Sequence, residues 1–266
     1  VDARGRNNVT VTGRDDGPTV MLAHGFGCDQ NLWRLIVSRL RDDFRLVLFD
    51  HVGSGRSDPG SWDADRYSSL TGYADDILDI VRELDLSDVV FVGHSVAAMM
   101  GVLAVSADPS RFAKLVLLTP SPCYLDDDGY TGGFSRADID ELLDSMDSNY
   151  LGWSRAMAPT IMGTPERPEL QDELTESFCR NDPAKARVFA RTTFLSDNRG
   201  DLARVSIPSL VIECARDTLA PKTVGAYTRE HIRGSRLVTI DAAGHCPQLS
   251  APDETAAAIA AFANSP

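Results

Sequence analysis

The chain has 266 residues, 43% of them hydrophobic and 24% charged. That balance suits one large α/β domain, with or without an inserted block, and excludes a disordered or fibrous chain. Twenty-six Lys and Arg stand against 39 Asp and Glu, a formal charge of −13 that repels phosphate backbones and argues against nucleic acid as the main partner. No stretch approaches the ~18 apolar residues of a membrane span. The polar N-terminus lacks the apolar run of a signal peptide. The five cysteines (Cys28, Cys123, Cys179, Cys214, Cys246) are scattered without a C-x-x-C. They suggest neither a zinc site nor a disulfide framework, and the expected compartment is a reducing cytoplasm.

Val20–Ala23 is a short apolar run ending in His24-Gly25-Phe26-Gly27, which reads as a strand entering a tight loop. Leu32–Leu40 has helical spacing, and Arg45–Phe49 reads as a buried strand followed by the Gly-rich turn Asp50–Asp58. Tyr73–Leu84 is an amphipathic helix with Ile77, Ile80, Val81 and Leu84 on one face. Val89–Val92 is a strand, Val96–Ala107 a mostly apolar helix, and Leu115–Leu118 a strand closed by Thr119-Pro120-Ser121-Pro122. Strands alternating with helices imply βαβ units and a mostly parallel sheet with helices on both faces.

The rhythm then stops. Helical patterns at Asp138–Met146, Trp153–Met162, Glu169–Phe178 and Pro183–Phe194 follow one another without a convincing strand. Alternation returns with Ser209–Cys214, Val224–His231, Arg236–Ile240 and Glu254–Phe262. The expected division is a core over residues 1–122 and 197–266, with a helical cap inserted over 123–196.

The sharpest signal is Val89-Val90-Phe91-Val92-Gly93-His94-Ser95-Val96-Ala97, a strand running through Gly-x-Ser-x-small into a helix. Such a strained turn holds a serine hydroxyl clear of the sheet, and its small residues let neighbouring backbone come close. Ala97 stands where the usual pattern has a second Gly. A helix N-cap serine is the plainer alternative for Ser95. A serine nucleophile needs a base. Of the five histidines, His24 and His51 sit in Gly-containing turns, His94 is adjacent to the serine, and His231 lies on a polar helix end. His245 follows the last strand, where sites in open parallel sheets lie, and is the base by elimination and position.

Asp217 lies just past the strand Ser209–Cys214 and is the candidate acid that orients His245, whereas Glu213 is still within the strand. The backbone amides of Phe26 and Val96 are the candidate oxyanion donors. The glycine loops do not cradle phosphate, because no Gly-Lys-Ser/Thr follows and Gly53-Ser54-Gly55 does not continue as G-x-G-x-x-G. Asp50 and the Gly53/Gly55 turn read as structural. Neither a metal nor a cofactor is implied.

These residues, in the chain order Ser95, Asp217, His245, resemble an α/β-hydrolase with a helical cap. Longer motifs narrow the likeness to the bacterial RsbQ group, related to the plant strigolactone and karrikin receptors. They include His24-Gly-Phe-Gly-Cys-Asp-Gln-Asn-x-Trp33, Phe49-Asp-x-Val-Gly-Ser-Gly-x-Ser-Asp58, Ser121-Pro-Cys-Tyr124, Asn149-Tyr-x-Gly-Trp153 and Gly244-His-Cys246. The resemblance implies a four-helix cap over an apolar pocket and Ser–His–Asp hydrolysis of a small hydrophobic ester or lactone. In the bacterial group it further implies a PAS-domain serine phosphatase as partner and control of a general stress sigma factor. Fold likeness does not fix function.

Phe134, Trp153, Met157, Phe178, Phe189 and Phe194 supply bulky apolar surface in the cap and are the expected pocket lining, with Phe26, Val96 and Leu219 below. No Arg or Lys is placed to grip an acid, so the expected ligand is small, neutral and apolar. Two rival readings share the triad. One is a ligand sensor with slow hydrolysis of a butenolide-like molecule. The other is a cofactor-free haloperoxidase or carbon–carbon hydrolase. A dehalogenase is disfavoured, since its nucleophile is an Asp at the position of Ser95.

Overall fold

A computed structural model describes the whole chain, Val1 to Pro266. Its elements run α1 (Ala3–Arg6), β1 (Thr10–Gly13), β2 (Thr19–Ala23), α2 (Arg34–Leu40), β3 (Arg45–Phe49), α3 (Leu70–Glu83), β4 (Val89–His94), α4 (Val96–Ala107) and β5 (Phe112–Leu118). Four helices follow in succession: α5 (Arg136–Ser148), α6 (Tyr150–Met162), α7 (Pro168–Arg180) and α8 (Pro183–Phe194). The chain closes with β6 (Ser209–Arg216), α9 (Lys222–His231), β7 (Arg236–Ala243), α10 (Pro247–Ser250) and α11 (Pro252–Ala263).

The strands form one seven-stranded sheet in the order β1-β3-β2-β4-β5-β6-β7. Every pair is parallel except β1 with β3. The inner strands are near-continuous apolar runs because helices cover both faces. Alternate side chains then feed two separate layers. Met21, Val47, Phe49, Phe91, Leu115 and Leu117 pack in one cluster with residues of α3 and α4. Val20, Leu22, Leu46, Leu48, Val92, Val116 and Ile212 pack in the other with Trp33, with Ile36 and Leu40 of α2 and with Ile259 and Phe262 of α11. The helix α4 lies against the sheet and is buried almost throughout, which accounts for its lack of a polar face.

The parallel order brings the C-terminal ends of β2, β4, β5, β6 and β7 to one edge of the sheet, where a doubly covered sheet offers a crevice. The loops carrying Phe26, Ser95, Thr119, Asp217 and His245 all leave from that edge. Three elements have no clear signal in the sequence, the four-residue helix α1 among them. The edge strand β1 (Thr-Val-Thr-Gly) is short and only partly buried, so it has no apolar run. The helix α10 is a single four-residue turn opened by Pro247.

Between β5 and β6 the helices α5 to α8 build their own apolar cluster, including Ile139, Leu143, Met146, Trp153, Leu174 and Phe178. A capping box on Ser135 and Asp138 starts α5. Gly163, at φ 64°, ends α6. A methyl group on Gly163 would lie 2.7 Å from the Cα of Gly244, so α6 ends directly against the loop that follows β7. There the His245 amide donates to the carbonyl of Ile161 at 2.9 Å.

Candidate active site

Ser95 sits between β4 and α4 at φ 58° and ψ −124°, outside the conformations comfortable for a residue with a side chain. Its amide donates to the carbonyl of Leu118 at 2.8 Å. Glycine is required two residues earlier: a methyl on Gly93 would come within 2.4 Å of the Ala97 carbonyl oxygen. The Ala97 methyl, by contrast, is fully buried in the core layer under α4 and is accommodated there.

The structure brings Ser95, His245 and Asp217 together from three loops. The Ser95 hydroxyl lies 2.8 Å from Nε2 of His245, and Nδ1 of His245 lies 2.7 Å from Oδ2 of Asp217. With a proton on Nδ1 donated to the carboxylate, Nε2 is left as an acceptor for the serine hydroxyl; this tautomer is assigned from the hydrogen-bond network. The Asp217 side chain is 1% exposed. Its second oxygen accepts the amides of Leu219 at 2.8 Å and Ala220 at 3.1 Å, so the carboxylate is anchored on both sides.

The loop after β2 lies beside the serine, since a methyl on Gly25 would be 3.2 Å from the Ser95 Cβ. The Phe26 amide donates to no protein acceptor among the loop hydrogen bonds, and Val96, as the first residue of α4, offers one of the amides that a helix start leaves free. The loop is held from behind by two histidines. His24 donates from Nδ1 to the Gly25 carbonyl at 2.8 Å and accepts the His51 amide on Nε2 at 3.1 Å. His51 donates from Nε2 to the His24 carbonyl at 2.8 Å. Burial pushes both imidazoles below their ordinary value, which keeps them neutral. Asp50 is spent on structure, accepting the amides of Gln30 and Arg56 and the side-chain amide of Asn8.

A narrow, mostly apolar cavity lies over Ser95 and His245. Larger hollows exist elsewhere on the surface, but most residues lining them are polar and none is one of the three side chains. Phe26, Phe178, Phe194 and Leu219, from the expected set, line the cavity. So do Cys28, His94, Tyr124, Ile161, Leu174, Thr193 and Cys246, which were not expected there. Cys28, Tyr124 and Cys246 carry a usable signal, because each stands close behind a motif residue at a strand's C-terminal end.

Five expected lining residues sit elsewhere. Phe134 meets Tyr124 edge-on at 6.3 Å, behind the cavity wall. Trp153 stacks on Phe178 at 6.0 Å. Phe189 stacks on Tyr73 at 4.8 Å and joins the core layer under α3. Met157 packs against the cap's own cluster, and the Val96 side chain turns into the sheet-side core. Packing within the cap, between cap and core, and inside the core each consumes apolar surface that helical spacing cannot distinguish from pocket surface.

Tyr124 is the polar surprise. Its hydroxyl stands 3.5 Å from the Ser95 hydroxyl, and burial pushes its pKa up to about 12. His94 points away from the serine and donates from Nε2 to the His245 carbonyl at 2.8 Å. Burial, helped by the neighbouring His245, pushes the His94 imidazole down to about 3.

Residues 20–258 match the model of the alpha/beta hydrolase family. The chain is 40% identical to a probable esterase of Oryza sativa subsp. japonica over 93% of this chain and 92% of that one. It is 39% identical to a strigolactone esterase of Arabidopsis thaliana, covering 94% and 93% respectively. A hydrolase from Oleispira antarctica superposes with a TM-score of 0.95 at 43% identity, covering 99% of this chain and 97% of that one. The seven-stranded sheet, the serine on its strained turn and likeness along nearly the whole length converge: this chain belongs to the alpha/beta hydrolase family.

Proposed function

We propose that the protein hydrolyses a small, neutral, hydrophobic ester or lactone through an acyl-enzyme on Ser95. The observation that carries this reading is the run of two short hydrogen bonds, 2.8 Å from Ser95 to His245 and 2.7 Å from His245 to Asp217, beneath an apolar cavity. Ser95 Oγ attacks the carbonyl carbon while Nε2 of His245 takes the hydroxyl proton. The Phe26 and Val96 amides receive the oxyanion, in a setting where losing one such donor costs on the order of 10²–10³ in kcat. His245 returns the proton to the departing alkoxide. It then takes a proton from water as the water oxygen attacks the acyl carbon, and passes that proton to Ser95 Oγ as the acyl–oxygen bond breaks and the acid leaves. Asp217 stays ionised and stabilises the imidazolium formed in each half-reaction. No Lys or Arg lines the cavity, which favours an uncharged substrate. Turnover of p-nitrophenyl butyrate by the wild type and by Ser95→Ala tests the reading; undiminished turnover in the variant removes Ser95 from its role.

A second reading sets hydrolysis in the service of signalling. Relatives at 39% identity are named karrikin insensitive 2 receptors, in Petunia hybrida, and the apolar lining of the cavity suits a neutral butenolide-like ligand. On this reading the protein works in the cytoplasm as an RsbQ-like partner of a PAS-domain serine phosphatase in a stress response. A ligand-induced Tm shift that requires Ser95, together with capture of such a phosphatase, supports it. Fast multiple turnover of simple esters with no phosphatase bound in the presence of ligand returns the protein to plain esterase chemistry.

A further inference from the structure

We propose that Thr119 and His94 are positioning residues for the general base, acting through the backbone carbonyl of His245. The proposal rests on the reading of Ser95, His245 and Asp217 as a hydrolytic triad. It starts from a backbone outlier. Thr119, the first residue after β5, has φ 46°, in the left-handed region that a β-branched side chain rarely enters. It also precedes Pro120, which restricts its backbone further. Glycine would adopt this conformation without the clash of a Cβ. Strain of this kind persists where the surroundings over-determine it, and it gathers at functional sites.

Thr119 is held there by its neighbours. Its amide donates to the Ile212 carbonyl at 2.7 Å, and its hydroxyl donates to the His245 carbonyl at 3.2 Å. The same carbonyl accepts Nε2 of His94 at 2.8 Å. The His245 amide is bound on its other side, to Ile161 of α6 at 2.9 Å. The backbone flanking the base is therefore clamped by β5, the serine turn and the cap, three segments far apart in the chain. Nδ1 of His94 is buried without a partner, against Gly25 of the loop that carries Phe26. His94 thus wedges between the base loop and the candidate oxyanion loop. None of these contacts touches a reacting atom. Their effect is to fix the point from which the imidazole reaches Ser95, where a misplacement of about 1 Å costs on the order of 10²-fold in rate.

The test pairs kcat with Tm. Thr119→Gly removes both the strain and the hydroxyl, so Tm holds or rises while kcat for p-nitrophenyl butyrate falls about tenfold, with KM within about twofold of wild type. Thr119→Ser keeps the hydroxyl and recovers most of the lost kcat. A merely structural role moves kcat and Tm together. Should Thr119→Gly not fold, Thr119→Ala against Thr119→Ser carries the same contrast. For His94, Gln offers an amide donor and Leu does not, so His94→Gln retains more kcat than His94→Leu. Wild-type kcat in Thr119→Gly (or in Thr119→Ala, if that stands in), or equal losses in the two His94 variants, overturns the assignment for that residue. Turnover surviving in Ser95→Ala overturns the triad reading instead, so the two failures are told apart.

Discussion

The core and the cap meet at the cavity, yet they build it by different means. On the core side, position is set by backbone. Ser95 is placed by a strained turn, His245 by hydrogen bonds to its own amide and carbonyl, and Asp217 by two amides on its free oxygen. On the cap side, position is set by side-chain packing. Phe178 and Phe194 reach the cavity through a web of rings that also contains Phe26 and Trp153. Under the proposed function the contrast amounts to a division of labour: the core fixes what chemistry is done, and the cap fixes the size and shape of what it is done to. Changes in the core should therefore act on kcat, and changes in the cap on the range of substrates.

The largest effect tests the core half of that contrast. Asp217→Asn leaves the fold in place but no longer holds Nδ1–H as the donor, so kcat for p-nitrophenyl esters should fall by about 10³–10⁴. A loss of less than about tenfold, at unchanged Tm, would falsify the role given to Asp217. The cap half is sharpened by Phe178→Leu. The Phe178 ring closes on the Gly27 loop, where a methyl on Gly27 would strike it at 2.4 Å. Trimming the ring should move the preferred acyl chain from butyrate toward hexanoate or octanoate, by about tenfold in relative kcat/KM, with kcat on acetate little changed. If acetate turnover collapses while chain-length preference stays put, the cap is helping the chemistry and the division fails.

This same contrast decides how much can be seen in the sequence. Ser95, Asp217 and His245 each stand within two residues of a strand's end, so an apolar run plus a turn is enough to propose them. The four cap helices are equally legible, since each carries a stripe of large apolar residues. Which of those residues meets the cavity is not. Phe189 and Phe194 lie on one helix five residues apart, yet one stacks on Tyr73 of the core and the other lines the cavity. Spacing tells which face of a helix is buried, but not whether a neighbouring helix or empty space lies opposite. Tyr124 closes a recognisable motif, but its approach to Ser95 depends on how the chain turns after Pro122.

Two smaller effects probe the core's polar packing. His24, His51 and His94 are buried and neutral in the fold, and His94 is pushed down to about 3. As pH falls from the ordinary histidine value of 6.5 toward 3, the unfolded chain binds protons that the folded chain refuses, so stability is full above 6.5 and declines below it. Each such residue contributes a slope of at most ~1.4 kcal/mol per pH unit. Urea unfolding between pH 7 and pH 5 should show this decline, and His94→Gln should flatten it; parallel curves for the two proteins would count against His94 as a contributor. The smallest effect belongs to Tyr124→Phe, which removes a hydroxyl standing 3.5 Å from the serine. A change of no more than about threefold in kcat for p-nitrophenyl butyrate is expected for so long a contact. A larger loss would give the tyrosine a part in the chemistry.

The most direct test of the central claim is covalent labelling with a p-nitrophenyl alkylphosphonate, followed by intact-mass and peptide mass spectrometry. The expected result is one phosphonyl group per chain, carried on Ser95, formed far more slowly in Asp217→Asn. A label on any other residue, or labelling of Ser95 at the same rate when Asp217 is replaced, contradicts the triad.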